Sequence, residues 1–298
     1  MLHSPVLLEE SVDYLITNPS GKYIDATFGR GGHSRKILDS ISKDGELFAL
    51  DKDIEAIKFA KENFKDKNFL IKHAGFENLD SINAPKKIDG ILFDFGLCST
   101  HYDNPLRGFS LNKAGPLDMR LDQSQPKKLE DLLQTIDVES LANIIFKYGE
   151  ERESRRVSQA IIDSYKKGKL LNTVDLAEII KKSKTKLPKK IHPATKTFQA
   201  LRIYLNDEIN NLKIGLEKSM DLVNSGGRIV CISFHSLEDR SVKHAFAPKK
   251  IIYPKGIPLN NEVTTEFKIV AKKIKANSSE LKRNRRSRSA IMRVFEKI

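Results

Sequence analysis

Apolar positions in the first hundred residues follow two alternating rhythms. Runs rich in β-branched and aromatic residues recur at 22–28 (KYIDATF), 47–51 (LFALD), 69–74 (FLIKHA) and 88–95 (IDGILFDF). Between them, 33–41 and 54–64 place apolar residues at helical spacing. This alternation predicts an α/β fold, a parallel sheet with helices on its faces. The rhythm then changes: LEDLLQ, ESLANIIFKYGEERESRRVSQAIIDSY and TVDLAEIIKK read as helices with no strand between them, which predicts a helical insertion. After Pro193 an apolar stripe (Phe198, Leu201, Leu205, Ile209, Leu212, Leu216, Met220, Val223) predicts one long helical stretch that Gly226 and Gly227 end. Gln199, Arg202 and Asn206 lie along one flank of that stripe, where they could meet solvent, the other domain or a ligand, a solvent-facing position being the more common case. Strands are predicted again at 228–234, 267–273 and 290–297.

Charge adds a partner class. The 298 residues carry 52 Lys and Arg against 39 Asp and Glu, a net charge of +13. Eleven of the cations, against two glutamates, fall within 268–298. Such an excess favours a polyanion, either nucleic acid or an anionic membrane. Glu9 and Glu10 interrupt the apolar region that a secretory peptide needs, and no apolar run approaches a membrane span. Cys98 and Cys231 form neither a disulfide framework nor a CxxC pair. A cytoplasmic protein with no membrane partner is the expectation.

The chemistry starts at DATFGRGGHS (25–34). A P-loop is excluded, because the two Gly-Lys pairs continue as Gly21-Lys22-Tyr23 and Gly168-Lys169-Leu170. A dinucleotide fingerprint counted from Gly29 meets Ser34 where its third glycine should stand. Asp51, at the end of the second strand, is placed to accept hydrogen bonds from the two ribose hydroxyls of a nucleoside. A glycine loop, an acidic strand end and no pyrophosphate site fit S-adenosylmethionine better than NAD. A tight strand-to-helix turn without a ligand is the competing reading of the same glycines.

Longer blocks narrow the choice: HSPVLLEE at the start, DGILFDFGLCSTHYDNPLRGFSLNKAGPLDMRLD from 89, YGEERESRRVSQAI from 148, HPATKTFQALRIYLNDEI from 192, SFHSLEDRSVK from 233 and RRSRSAIMRVFE near the end. In that order they closely resemble the bacterial ribosomal RNA small subunit methyltransferase H family, also called MraW. The resemblance implies a class I (Rossmann-like) S-adenosylmethionine-dependent methyltransferase sheet, residues 1–110 and 215–298, with an inserted all-helical substrate-recognition domain over 111–214. It implies methyl transfer to the N4 amine of a cytidine in the decoding region, or P-site, of 16S rRNA within the small ribosomal subunit. A homodimer is admitted, and no metal is expected. A non-catalytic RNA-binding or ribosome-assembly factor that retains the fold is the alternative.

The resemblance also implies a cofactor pocket built from Gly31, Gly32, His33, Asp51, Phe76 and Asp94. His101 joins these cofactor candidates, standing in CSTHYD where the family has a glutamine that contributes to cofactor binding, and Cys98 stands where the family has a serine. Methyl transfer is an in-line displacement, so placing the amine and accepting its proton are the main tasks. Asp94, Asp103 and, after the fifth strand, His235 are the candidate catalytic residues. Arg107, Phe109, Asp118 and Arg120 are candidates for holding a flipped base, with internal ion pairing as the competing reading. Gln199, Arg202 and Asn206 join them as substrate candidates. Arg285, Arg286 and Arg288 are candidates for rRNA phosphates, with a merely solvated loop as the competing reading. His235 and Glu238 alone are too few ligands for a metal. A thiolate route to cytosine C5 through Cys98 or Cys231 is disfavoured, because the family acts at N4. DFGL after the fourth strand, where DNA amino-methyltransferases carry [DNS]PP[YFW], points to RNA.

Overall fold

The alternation of the first hundred residues becomes four parallel strands. In the computed structural model, which describes residues 5–82, 87–250 and 263–298, β1 (Lys22–Asp25), β2 (Glu46–Asp51), β3 (Phe69–His73) and β4 (Ile88–Asp94) are separated by α2 (Gly32–Ser40), α3 (Ile54–Asn63) and a 3-10 turn (Phe76–Ser81). Helix α1 (Leu8–Leu15) precedes them. His3 and Ser4 of the opening block lie outside the described residues.

The chain divides into two compact units, Met1–Gly96 with Ile209–Ile298, and Leu97–Glu208. The sequence had placed the insertion at 111–214; the contacts divide the chain earlier at both ends. The second unit contains α4 (Ser99–Asp103), α5 (Leu129–Thr135), α6 (Val138–Gly149), α7 (Ser154–Lys166), α8 (Thr173–Ser183) and α9 (Thr195–Leu205). These helices bury their own core, including Leu133, Leu141, Ile145, Val157, Ile161, Leu176 and Leu201.

The stripe after Pro193 is two helices, not one. Helix α9 ends at Leu205 and α10 (Glu208–Leu222) begins three residues later. Between them Asp207 takes a left-handed φ of 48°, a conformation that no continuing helix allows. The second helix also ends at Leu222, four residues before Gly226, and the strand starts at Val223.

After α10 the first unit resumes with β5 (Val223–Ser233), α11 (Ser236–Ala245), a short ribbon of β6 (Lys249–Lys250) and β7 (Val263–Thr264), β8 (Phe267–Ile274), α12 (Ser278–Arg283) and β9 (Ile291–Lys297). The main sheet runs in the order β3-β2-β1-β4-β5-β9-β8. Strands β1 to β5 pair in parallel, and β9 pairs antiparallel to β5 and β8. This is the α/β methyltransferase-type sheet expected from the resemblance. Alternate residues serve its two faces: Leu92, Val230 and Ile232 join one buried cluster, and Ile91, Phe93, Ile229 and Cys231 the other. Burial pushes the Cys231 thiol up, which removes it as a thiolate nucleophile. No helix among the described residues is long and apolar enough to cross a membrane.

Candidate active site

Three parallel strands of the first unit end on an acid: Asp25 on β1, Asp51 on β2 and Asp94 on β4. Strand β1 lies between β2 and β4, where the strand order reverses and a crevice opens at the carboxyl edge. The glycine loop crosses this edge. Ala26 donates its N–H to Leu92 O on β4 and Phe28 to Leu50 O on β2, both at 2.9 Å. Gly31 then caps α2 with a φ of 70°. A Cβ there would lie 2.4 Å from Phe64 and 2.6 Å from Phe28, so conformation and packing both require glycine. A Cβ at Gly32 would lie 2.1 Å from the Pro5 ring, because the N-terminal segment rests directly on the first turn of α2.

Asp51 ties this loop to β2. Its Oδ2 accepts the Gly29 N–H at 2.7 Å and its Oδ1 the Asp53 N–H at 2.8 Å. Phe76 sets its ring edge-on to Phe93 and Phe95, with centroids 5.9 and 5.8 Å away. The Lys52 ammonium stands 5.5 Å from the centre of the Phe76 ring.

Asp25 is fully buried; it accepts the Thr27 N–H at 3.1 Å and the Ser34 hydroxyl at 2.6 Å. Burial outweighs these bonds and pushes its carboxyl up to about 6. The Thr27 hydroxyl in turn accepts the Asp94 N–H at 2.7 Å. Burial, and then the charges of Asp25 and Glu238, raise the Asp94 carboxyl well above the usual range. Its Oδ1 is buried without a hydrogen-bond partner, yet the side chain as a whole keeps 18% exposure. His33 is buried and bonds Val6 O through Nε2 at 3.1 Å; its Nδ1 lies 3.6 Å from Asp94 Oδ2. Burial pushes the imidazole down to about 4.

His235, the candidate catalytic residue after β5, stands at the start of α11. It caps α11, accepting the Glu238 N–H at Nδ1 (3.3 Å), while its Nε2 lies 3.0 Å from Glu238 Oε1. Glu238 Oε2 completes the capping box by accepting the N–H groups of Phe234 and His235 at 2.7 and 3.2 Å. Nδ1 thus serves the capping box, while Nε2, close to the carboxylate, is buried without a well-formed hydrogen bond.

In the helical unit most substrate candidates hold the unit together. Arg107 is buried and donates through Nη2 to Arg120 O and Leu121 O at 3.1 and 2.8 Å. Arg120 forks onto Asp118 at 2.9 and 2.8 Å, and this pair holds Asp118 below the usual range in spite of its burial. Asn206 donates to Met119 O at 2.8 Å and accepts from Leu121 N at 2.7 Å. Arg202 forks onto Glu208 at 2.7 and 2.8 Å. Arg202 and Asn206 are therefore buried, contrary to the solvent-facing flank expected of them. Gln199 donates to Tyr148 O at 3.1 Å. Phe109, Gln199 and Arg202 nevertheless line one cavity of about 110 Å³, with Tyr102 and Phe198 among its other walls. His101 is buried with its ring 5.6 Å from that of Phe109. Asp103 is exposed.

Arg286 and Arg288 are exposed in the 3-10 turn Arg285–Ser289 of the first unit. The side chain of Arg285 lies outside the described residues. Helix α12, just before that turn, holds a buried anchor: Glu280 Oε1 accepts the Leu7 N–H at 3.0 Å.

The family model for the MraW methylase family matches residues 1–298. The chain belongs to the MraW methylase family. Three proteins named ribosomal RNA small subunit methyltransferase H are similar along their whole length. The Francisella tularensis subsp. novicida protein is 46% identical, covering 100% of each chain. Those of Caldicellulosiruptor bescii and Legionella pneumophila (strain Paris) are 45% and 44% identical, covering 99% of each.

This MraW methylase uses S-adenosylmethionine as methyl donor. The residues present fit such a cofactor. The orphaned Asp94 Oδ1 offers a buried acceptor, Gly96 takes a φ of 106° beside it, and the Phe76 ring offers an apolar edge. Asp25, Thr27 and Val6 were not among the sequence candidates. For Asp25 a signal was present: three successive parallel strands of one crevice end on aspartate, and only two of the three had been used.

Proposed function

We propose that this methylase acts on the N4 amine of a cytidine in the decoding region of small-subunit rRNA. The names of its relatives support the rRNA substrate. Exposed Lys272, Lys273, Lys282, Arg283, Arg286 and Arg288 supply phosphate contacts. The observation that carries the reading is the partnerless Asp94 Oδ1 at the β1/β4 crevice. When bound, the cofactor supplies a methyl group on a sulfonium. The glycine loop and His33 line its site, Asp51 accepts the ribose hydroxyls, and Phe76 packs beside the adenine.

A cytosine amine is a poor nucleophile because its lone pair is delocalised into the ring. Asp94, accepting one amino proton, lets the nitrogen pyramidalise and later takes that proton. Asp103, exposed on the helical unit, is the second candidate acceptor. Phe109, Gln199 and Arg202, around their cavity, are the base-contacting candidates. His101, packed against Phe109, stays the candidate for the cofactor contact that the family's glutamine makes. The non-catalytic alternative and the homodimer have no observation in their favour and are not carried forward.

The test is transfer of labelled methyl from S-adenosylmethionine to small subunits that lack the modification, followed by nucleoside digestion. Label on N4-methylcytidine is expected; label on cytosine C5, or on another nucleoside, contradicts the proposal.

A further inference from the structure

His33 and Asp94 meet as two hydrogen-bond acceptors. A carbonyl oxygen can only accept, so Val6 O fixes the imidazole proton on Nε2. In the neutral ring this leaves Nδ1 as a bare lone pair, 3.6 Å from Asp94 Oδ2. Two acceptors so placed repel each other unless a proton lies between them. The surroundings do not relieve the repulsion. Asp25 faces Asp94 from β1 and Glu238 from α11, both acids, and His235 is drawn to Glu238. The other carboxylate oxygen, Oδ1, is buried without a partner.

We propose that Asp94 and His33 form a one-proton pair, which empties when a cationic ligand occupies the crevice and refills during methyl transfer. The inference rests on the reading that S-adenosylmethionine binds at the β1/β4 edge. Without a cation nearby, Asp94 holds the proton and shares it with His33 Nδ1. Beside a sulfonium charge the carboxylate form is favoured, and Asp94 releases its proton to solvent. In the transfer step the amine lone pair forms the N–CH₃ bond, and the S–CH₃ electron pair returns to sulfur. The amino proton passes to the Asp94 carboxylate. The ligand left behind is an uncharged thioether, so Asp94 keeps that proton until the next cofactor binds. One pair thereby couples the cofactor's loss of charge to removal of the amine proton.

The test is calorimetry of S-adenosylmethionine and S-adenosylhomocysteine binding, in buffers of different ionisation enthalpy, across roughly pH 5 to 9. The two ligands differ in the methyl group and its charge. S-adenosylmethionine is expected to release about one proton more than S-adenosylhomocysteine within part of that range, and Asp94→Asn should abolish the difference. Asp25→Asn removes a neighbouring negative charge and should move the window to lower pH. Where Asp94→Asn does not fold, ¹⁵N spectra of His33 in the unaltered protein provide the second readout. Protonation at Nε2, with an Nδ1 signal that changes on binding S-adenosylmethionine but not its thioether product, is expected. Equal proton counts for the two ligands, or an Nδ1-protonated ring, overturn the pair alone. Absence of any S-adenosylmethionine binding overturns the cofactor reading together with it.

Discussion

The glycine-loop crevice and the loop around Arg107 to Arg120 both carry charged residues but treat them differently. At the crevice Asp94 keeps a buried oxygen without a partner, and His33 turns a lone pair towards it. In the helical unit Arg107 and Asn206 close on backbone carbonyls, Arg120 on Asp118 and Arg202 on Glu208. A buried polar atom without a partner costs stability; Ser158 and Thr197 of the helical unit also bury such oxygens, so an orphan oxygen marks a candidate site only where, as at Asp94, it stands at the crevice with further polar groups around it. Charge in a motif is therefore weak evidence of a site until its hydrogen bonds are followed.

Arg107→Met should separate the two regions most clearly. It strips one buried and one part-buried carbonyl of their donor and should destabilise the protein by about 3 kcal/mol in chemical unfolding. S-adenosylmethionine affinity, measured on the folded fraction, should be unchanged; a large loss would make Arg107 part of the cofactor site.

Asp25 tests the crevice through pH. Its folded-state carboxyl is raised to about 6 from an ordinary 3.8, so the native state binds protons more tightly than the unfolded chain. The associated stability is fully present below about pH 4 and lost as pH rises through about 6. Relative to Asp25→Asn, the unaltered protein should lose up to about 3 kcal/mol between those limits. Parallel unfolding curves for the two proteins would contradict the burial of a chargeable group.

Asp51→Ala should weaken S-adenosylmethionine binding by about 1.5 to 3 kcal/mol, the range for hydrogen bonds to a charged group. Calorimetry showing unchanged affinity would remove the ribose role and leave only the tie to Gly29. The smallest effect is expected at the exposed cations. Replacing Arg286 and Arg288 with Glu should lower RNA affinity and flatten its salt dependence, with cofactor affinity untouched. An identical salt slope would detach this segment from the RNA.

The features legible beforehand were those with a local cause. The alternation of strand and helix, the glycine turn and the acids at the ends of β2 and β4 each announce themselves within a few residues. The break at Asp207 did not, because the step of four from Leu205 to Ile209 keeps the apolar stripe in phase across it. Nor did the burial of Arg202 and Asn206, whose partners include Glu208, Met119 and Leu121. Asn206 meets Met119 and Leu121 from more than eighty positions away, a proximity created by the fold. His33 was legible as a pocket residue, whereas its tautomer depends on Val6, twenty-seven residues earlier.

The most direct measurement of the central claim is nucleoside mass spectrometry of small-subunit rRNA from cells lacking this protein, supplied with either the unaltered chain or Asp94→Asn. The account predicts N4-methylcytidine with the unaltered chain and its loss, by roughly a hundredfold or more, with a folded and abundant Asp94→Asn protein. N4-methylcytidine at full level with Asp94→Asn would contradict it.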